Sequence, residues 1–156
     1  MPTDKDDSHT STVYLLKRTE LAVRGCLEVA LMPFGLTPTQ LLMLVRLKRS
    51  SEGLSGAELA RAAGVRPQSI TDLVGPLERD GLITRRESPE HKRILKITLS
   101  PAGEHLLERA FPVTQQLEQD LLGNLEAAEL ERLREGLLKL LANAETRRRG
   151  TPEQNT

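Results

Sequence analysis

Apolar residues recur at steps of three and four along residues 11–31, at Val13, Leu16, Val23, Leu27, Ala30 and Leu31, which predicts one packed face of a long helix. Pro33 and Gly35 end it. Thr37-Pro38-Thr39-Gln40 then reads as a capping box with proline at the first helical position, because the Thr hydroxyl and the Gln amide can each satisfy an open backbone N–H. The apolar run 41–47 follows as a buried helix. Ser55-Gly56-Ala57-Glu58 is a second capping box, opening a short helix over 57–63 that stops at Gly64. Pro67 starts another helix, with Ile70, Leu73, Val74 and Leu77 turned inward and Gly81 at its end.

The period then changes from helical to alternating. Residues 82–86 and 95–99 predict two strands, and the intervening segment carries the turn residues Ser88 and Pro89. Ser100-Pro101 caps a helix over 102–122, with Leu107, Ala110, Phe111, Thr114, Leu117 and Leu121 on one stripe and a kink expected at Pro112. After Gly123-Asn124 a last helix places Leu130, Leu133, Leu137, Leu140 and Ala144 on one seam, suited to a partner helix. Residues 1–10 and 147–156 lack periodicity and are expected to be flexible tails. A short helix, a glycine-containing turn, a second helix and a hairpin make a winged helix-turn-helix. The expected fold is mainly α with a small β-wing. Residues 36–99 are expected to form the winged helix-turn-helix lobe, and residues 11–35 with 100–146 a second, helical lobe.

Composition narrows the chemistry. Of 156 residues 38% are hydrophobic but 2% aromatic, so the core must be aliphatic and no aromatic platform exists for stacking single-stranded bases. The formal charge is zero, yet residues 61–96 hold eight Lys/Arg against five Asp/Glu, while 97–146 hold four against nine. A basic middle gives phosphate a local footprint despite the neutral total. The single cysteine, Cys26, allows no internal disulfide and no thiolate zinc cluster. With no apolar signal region and no stretch near the ~20 apolar residues of a membrane helix, a cytoplasmic location is expected. His9, His91 and His105 are scattered, without metal-ligand spacing, and no phosphate-cradling glycine motif or nucleophile turn is present, so neither an enzyme nor a cofactor is expected.

Three segments carry a resemblance: Leu36-Thr37-Pro38-Thr39-Gln40, Ser55-Gly56-Ala57-Glu58-Leu59-Ala60, and Leu77-Glu78-Arg79-Asp80-Gly81-Leu82-Ile83-Thr84-Arg85. With Arg93 in the wing and Leu99-Ser100-Pro101-Ala102-Gly103 at its exit, residues 11–146 resemble the MarR (multiple antibiotic resistance regulator) family. That resemblance implies a two-fold dimer, with residues 11–35 and 100–146 as the dimerisation lobe, and binding to pseudo-palindromic duplex DNA. It also implies repression, relieved in many members by small phenolic or other aromatic effectors. Two departures stand out. The family wing commonly carries Asp-x-Arg, whereas His91 occupies the Asp position here, ahead of Lys92 and Arg93. The recognition helix also contains Gly75-Pro76, where an interior proline removes a hydrogen bond and costs about 3 kcal/mol, against the helical continuation of its C-terminal half.

The outward positions of the recognition helix are Gln68, Ser69, Thr71, Asp72 and Gly75, short or polar residues that let base edges approach in a major groove. Gln68 could pair with adenine and Asp72 could accept from cytosine N4; an ordinary solvated face is the alternative. Arg66, at the start of this helix, is either a phosphate ligand or a solvated side chain. Arg85, Arg86, Lys92, Arg93 and Lys96 cluster on the hairpin, and Lys92 and Arg93 are the candidates for phosphate or minor-groove contact, with His91 an exposed neighbour. Cys26 reads as a small buried hydrophobe. The expected function is a homodimeric, sequence-specific DNA-binding transcription regulator, a repressor released by a small-molecule effector. The rivals are a winged-helix dimer that binds proteins rather than DNA and a regulator that senses oxidants through Cys26.

Overall fold

The computed structural model describes residues 11–87 and 95–150. It divides into two compact units, one reaching Leu117 and one starting at Glu118. Helix α1 spans Thr12–Leu31 and passes through a 3-10 turn, Met32–Phe34, to Gly35 in the left-handed region at φ 63°. Helix α2 is Pro38–Lys48 and α3 is Gly56–Ala63, each opened by its capping box. At α2 the Gln40 N–H donates to Thr37 Oγ1 (3.2 Å) and the Thr37 N–H to Gln40 Oε1 (3.0 Å). At α3 the Glu58 N–H donates to Ser55 Oγ (3.3 Å) and the Ser55 N–H to Glu58 Oε2 (2.7 Å).

Helix α4 is Ile70–Arg79, and strands β2 (Ile83–Glu87) and β3 (Leu95–Leu99) form the antiparallel wing. A two-residue strand, β1 (Leu54–Ser55), was not expected. It pairs Leu54 with Ile97 and Ser55 with Lys96, so β3 lies in the middle of a three-stranded sheet. Gly53 makes this pairing possible, since at φ 76° it lies against the Ile97 carbonyl and the Thr98 side chain, where a Cβ has no room. Helix α5 runs without a break through Pro112, from Pro101 to Leu122. Helix α6 is Ala127–Gly150, four residues longer than the expected 146, and its start is held by the Glu126 N–H donating to Glu129 Oε2 (2.9 Å).

The core of the first unit is aliphatic, as the composition requires. Leu31, Met43, Leu44, Leu47, Leu59, Leu77, Val74 and Ile83 are fully buried, drawing α1 to α4 and β2 into one cluster, which Leu107 and Ala110 of α5 join. Helix α1 gives this core only one side: Val23, Leu27 and Ala30 are half-buried, while Ala22, Cys26 and Val29 are exposed. The expectation that Cys26 is buried is therefore corrected. A residue one step before Leu27 lies about 100° around the helix, off the packed stripe. In the second unit no residue of α6 whose burial is described is buried, and Leu133, Leu137 and Leu140 are each more than 40% exposed. Among the described residues no single helix is long and apolar enough to cross a membrane.

Candidate nucleic-acid interface

The second helix of the helix-turn-helix is positioned by its two ends. Before it, α3 stops in a double hydrogen-bond closure: Gly64, at φ 70°, donates to the Arg61 carbonyl (3.2 Å) and Val65 to the Ala60 carbonyl (3.0 Å). After it, the same closure recurs, with Gly81 donating to the Glu78 carbonyl (3.0 Å) and Leu82 to the Leu77 carbonyl (2.9 Å). Glycine at both positions removes the penalty of the left-handed backbone that turns the chain. Gly56 at the start of α3 faces Ile70 of α4, whose methyl lies 3.7 Å from where a Cβ would be, an ordinary packing distance.

Proline 67 begins a 3-10 turn, Pro67–Ser69, and the α-helix begins only at Ile70, which corrects the expectation of one helix from Pro67. Gln68 and Ser69 thus sit on a tighter turn, closed by the Ser69 N–H donating to the Arg66 carbonyl (3.0 Å). Arg66 has extended backbone at φ −70° and ψ 143°, and its side chain makes no capping bond. Arg66, Gln68, Ser69, Thr71 and Asp72 are all exposed, and Ile70, Leu73, Val74 and Leu77 turn inward. Gly75 is half-buried rather than fully outward. Asp72 lies in the first turn of α4, where its charge also favours the helix dipole.

Pro76 does not end the helix, which continues to Arg79. Two features offset its cost. The residue before a proline is disfavoured in the helical region largely by its own Cβ, and Gly75 has none. On either side, Val74 and Leu77 are about 1% exposed, so core packing holds the turn that proline weakens.

The wing is tied to both helices by ion pairs. Lys96 Nζ of β3 donates to Glu58 Oε2 at 2.9 Å, and Arg85 Nε of β2 lies 3.0 Å from Glu78 Oε2 at the end of α4. Glu58 is held down to a pKa of about 2, first by the Ser55 backbone N–H, then by Lys96 and the Ser55 hydroxyl. On the outer face of the hairpin, Thr84 and Thr98 share a hydroxyl contact of 2.9 Å, and Arg86 beside them is exposed. Lys92, Arg93 and their neighbour His91 lie outside the described residues. The described interface therefore comprises the recognition turn and helix together with the base of the wing. These partnerships were not read from the sequence: Glu58 and Lys96 are 38 residues apart, and only the capping role of Glu58 has a local signature.

The exit of the wing is locked to the start of α5. Ser100 is 7% exposed; its hydroxyl donates to the Gly81 carbonyl (2.6 Å) and accepts from the Gly103 N–H (3.0 Å). The Ser100 N–H donates to the Leu82 carbonyl (3.0 Å), and Gly103 packs so closely on that carbonyl that a Cβ would strike it. Ser100 and Gly103 are positioning residues, and their role depends on long-range proximity rather than local pattern. A cleft of about 610 Å³ opens between α2 and α5, walled by Leu41, Val45, Leu107 and Phe111 with Lys48 and Arg49 at its edge. Among the described residues no cluster of His, Cys, Asp or Glu is arranged to hold a metal ion.

The family model described as MarR family matches residues 34–94. An HTH-type transcriptional repressor of Mycobacterium tuberculosis is 36% identical over 127 residues, covering 81% of this chain and 91% of the relative. Among solved structures, the DNA complex of MepR from S. aureus matches with a TM-score of 0.79 at 25% identity, over 86% of this chain and 99% of that one. CouR from Rhodococcus jostii RHA1, bound to p-coumaroyl-CoA, matches with a TM-score of 0.78 at 25% identity, over 88% and 95%.

Proposed function

The chain belongs to the MarR family of transcriptional regulators, and we propose that it acts as a homodimeric repressor that reads an inverted-repeat operator and releases it when a small molecule binds. The observation that carries this reading is the continuous exposed surface of Arg66, Gln68, Ser69, Thr71 and Asp72, set beside the basic hairpin by closures at both helix ends. In this reading Gln68 and Asp72 face base edges, Ser69 and Thr71 allow close approach, and Arg66, Lys92 and Arg93 meet phosphates. The DNA-bound MepR structure supports the partner, and the exposed leucines of α6 and the exposed side of α1 support the second copy.

The cleft between α2 and α5 is where we place the effector, a small aromatic molecule whose apolar body lies on Leu107 and Phe111. The CouR structure bound to p-coumaroyl-CoA supports an effector that carries an aromatic group. Because Ser100 and Gly103 fasten α5 to the base of the wing, an occupant that shifts α5 also shifts the reading head. Release then requires only that the effector bind one spacing of the two heads better than the other. We place the protein in the cytoplasm, where its target duplex is found.

Selection of bound duplexes from a random library at near-physiological salt tests the reading. An inverted repeat with half-site centres about ten base pairs apart is the expected outcome. Replacing both Lys92 and Arg93 by Ala should then weaken binding at every sequence and reduce the salt slope by roughly 0.9 for each phosphate lost. No enriched motif, with weak binding that vanishes as salt rises, would favour a winged-helix dimer that binds proteins instead.

A further inference from the structure

The recognition helix and the wing meet along a crease of about 90 Å³, lined by Ile70, Thr71 and Val74 of α4 and by Arg85, Leu95 and Ile97 of the hairpin. The register shows why these side chains come together. Ile83, Arg85 and Glu87 share one face of β2, opposite Leu99, Ile97 and Leu95 of β3. That face is core at one end, where Ile83 and Ile97 are buried, and surface at the other, where Leu95 is 48% exposed. Arg85, the exposed Leu95 and Thr71 of the reading face thus line one small hollow.

A guanidinium beside an apolar surface suits a sugar–phosphate unit, with the phosphate on the cation and the deoxyribose on the leucine. The Arg85 guanidinium already faces an anion, since Glu78 Oε2 lies 3.0 Å from its Nε. Both partners are more than a third exposed, and ion pairs of that kind hold weakly in water. A backbone phosphate arriving between helix and wing meets an arginine that is pre-positioned but only loosely held.

We infer that Arg85 is a further DNA ligand that takes a backbone phosphate in this crease, and that Glu78 competes with that phosphate for the guanidinium. The inference rests on the DNA-binding reading above. It differs from a purely structural ion pair in one measurable way. A structural pair links α4 to β2 and leaves the number of phosphates neutralised unchanged, whereas a phosphate ligand contributes about 0.9 to the slope of log K against log salt.

The test is duplex affinity across a salt series, on the selected operator and on an unrelated duplex of equal length, with full-length protein. Arg85→Gln is expected to weaken binding on both duplexes and to reduce the slope by about 0.9, while Arg85→Lys keeps the slope. Glu78→Gln is expected to tighten binding roughly threefold in the wild-type background and to have little effect beside Arg85→Gln, the non-additivity expected of a shared contact. An Arg85→Gln slope equal to that of wild type, at matched melting temperature, overturns the inference and leaves the DNA reading standing. Equal gains from Glu78→Gln in both backgrounds overturn the competition. A wild-type protein without salt-dependent duplex binding overturns the DNA reading and this inference together.

Discussion

The winged helix-turn-helix and the last helix solve the same problem in opposite ways. Residues of α2, α3, α4 and the sheet share one closed core with Leu31 of α1 and Leu107 and Ala110 of α5, and both helices of the reading motif end in paired hydrogen-bond closures at glycine. Helix α6 has 24 residues, and Leu133, Leu137, Leu138, Leu140 and Leu141 are all exposed while Leu130 is half-buried. Backbone order in α6 is internal, but its apolar face is not satisfied by the chain that carries it. A helix gains most of its stability from burying such a face. The contrast teaches that the reading head is packed on all its inner faces, whereas α6 leaves an apolar seam of the kind the proposed dimer would cover.

The sharpest way to break this comparison is to charge the α6 seam. Leu133→Glu together with Leu140→Glu should convert the proposed dimer to monomer by sedimentation and lower operator affinity by at least about a hundredfold, or roughly 2.7 kcal/mol. A dimer that survives both charges would show that α6 is not the seam. The next largest effect should come from the other region. Leu44→Ala in the closed core is expected to cost about 2–5 kcal/mol, read by chemical denaturation, because Leu44 is fully buried and its neighbours can only partly collapse. Its native mass should remain that of wild type. If Leu44→Ala changed the mass while the α6 variant changed only stability, the roles of core and seam would have to be reversed.

Where a rule acts over three or four residues, the chain could be read directly. Thr37 with Gln40, and Ser55 with Glu58, form the two capping boxes, and β3 spans the expected 95–99. Local rules failed where a neighbour or the core overrode them. Pro76 is tolerated because Gly75 precedes it and Val74 and Leu77 are packed beneath; Pro67 opens a 3-10 turn before the α-helix is established. Strand β1 could not be seen at all, since two residues give no alternation and their partners lie more than 40 positions away. The candidate site divides along the same line. Exposure of Thr71 and Asp72 follows from helical spacing and that of Gln68 and Ser69 from the 3-10 turn, but the ties from Glu58 to Lys96 and from Glu78 to Arg85 depend on how the hairpin folds back. Cys26 was misjudged because helical membership does not say which side of α1 meets α2.

The smallest expected effect isolates one of those ties and shows how far the reading head depends on electrostatics. Glu58 serves α3 as a cap and β3 as the partner of Lys96, and its folded pKa is depressed from 4.5 to about 2. A depressed carboxylate pKa contributes stability that is fully present above the unfolded value and is lost as pH falls through the folded one. The contribution should therefore be intact above about pH 5 and should fade between about pH 4.5 and 2. Glu58→Gln keeps an amide oxygen able to accept from the Ser55 N–H but removes the charge that holds Lys96. The stability gap between wild type and this variant should be small at neutral pH, because the side chain is 44% exposed and water screens the pair. Denaturation curves recorded from pH 7 to pH 2.5 should show that gap narrowing on the acid side. A gap independent of pH would mean that Glu58 acts through hydrogen-bond geometry alone, and that the wing is held on α3 by β1 pairing and core contacts rather than by charge.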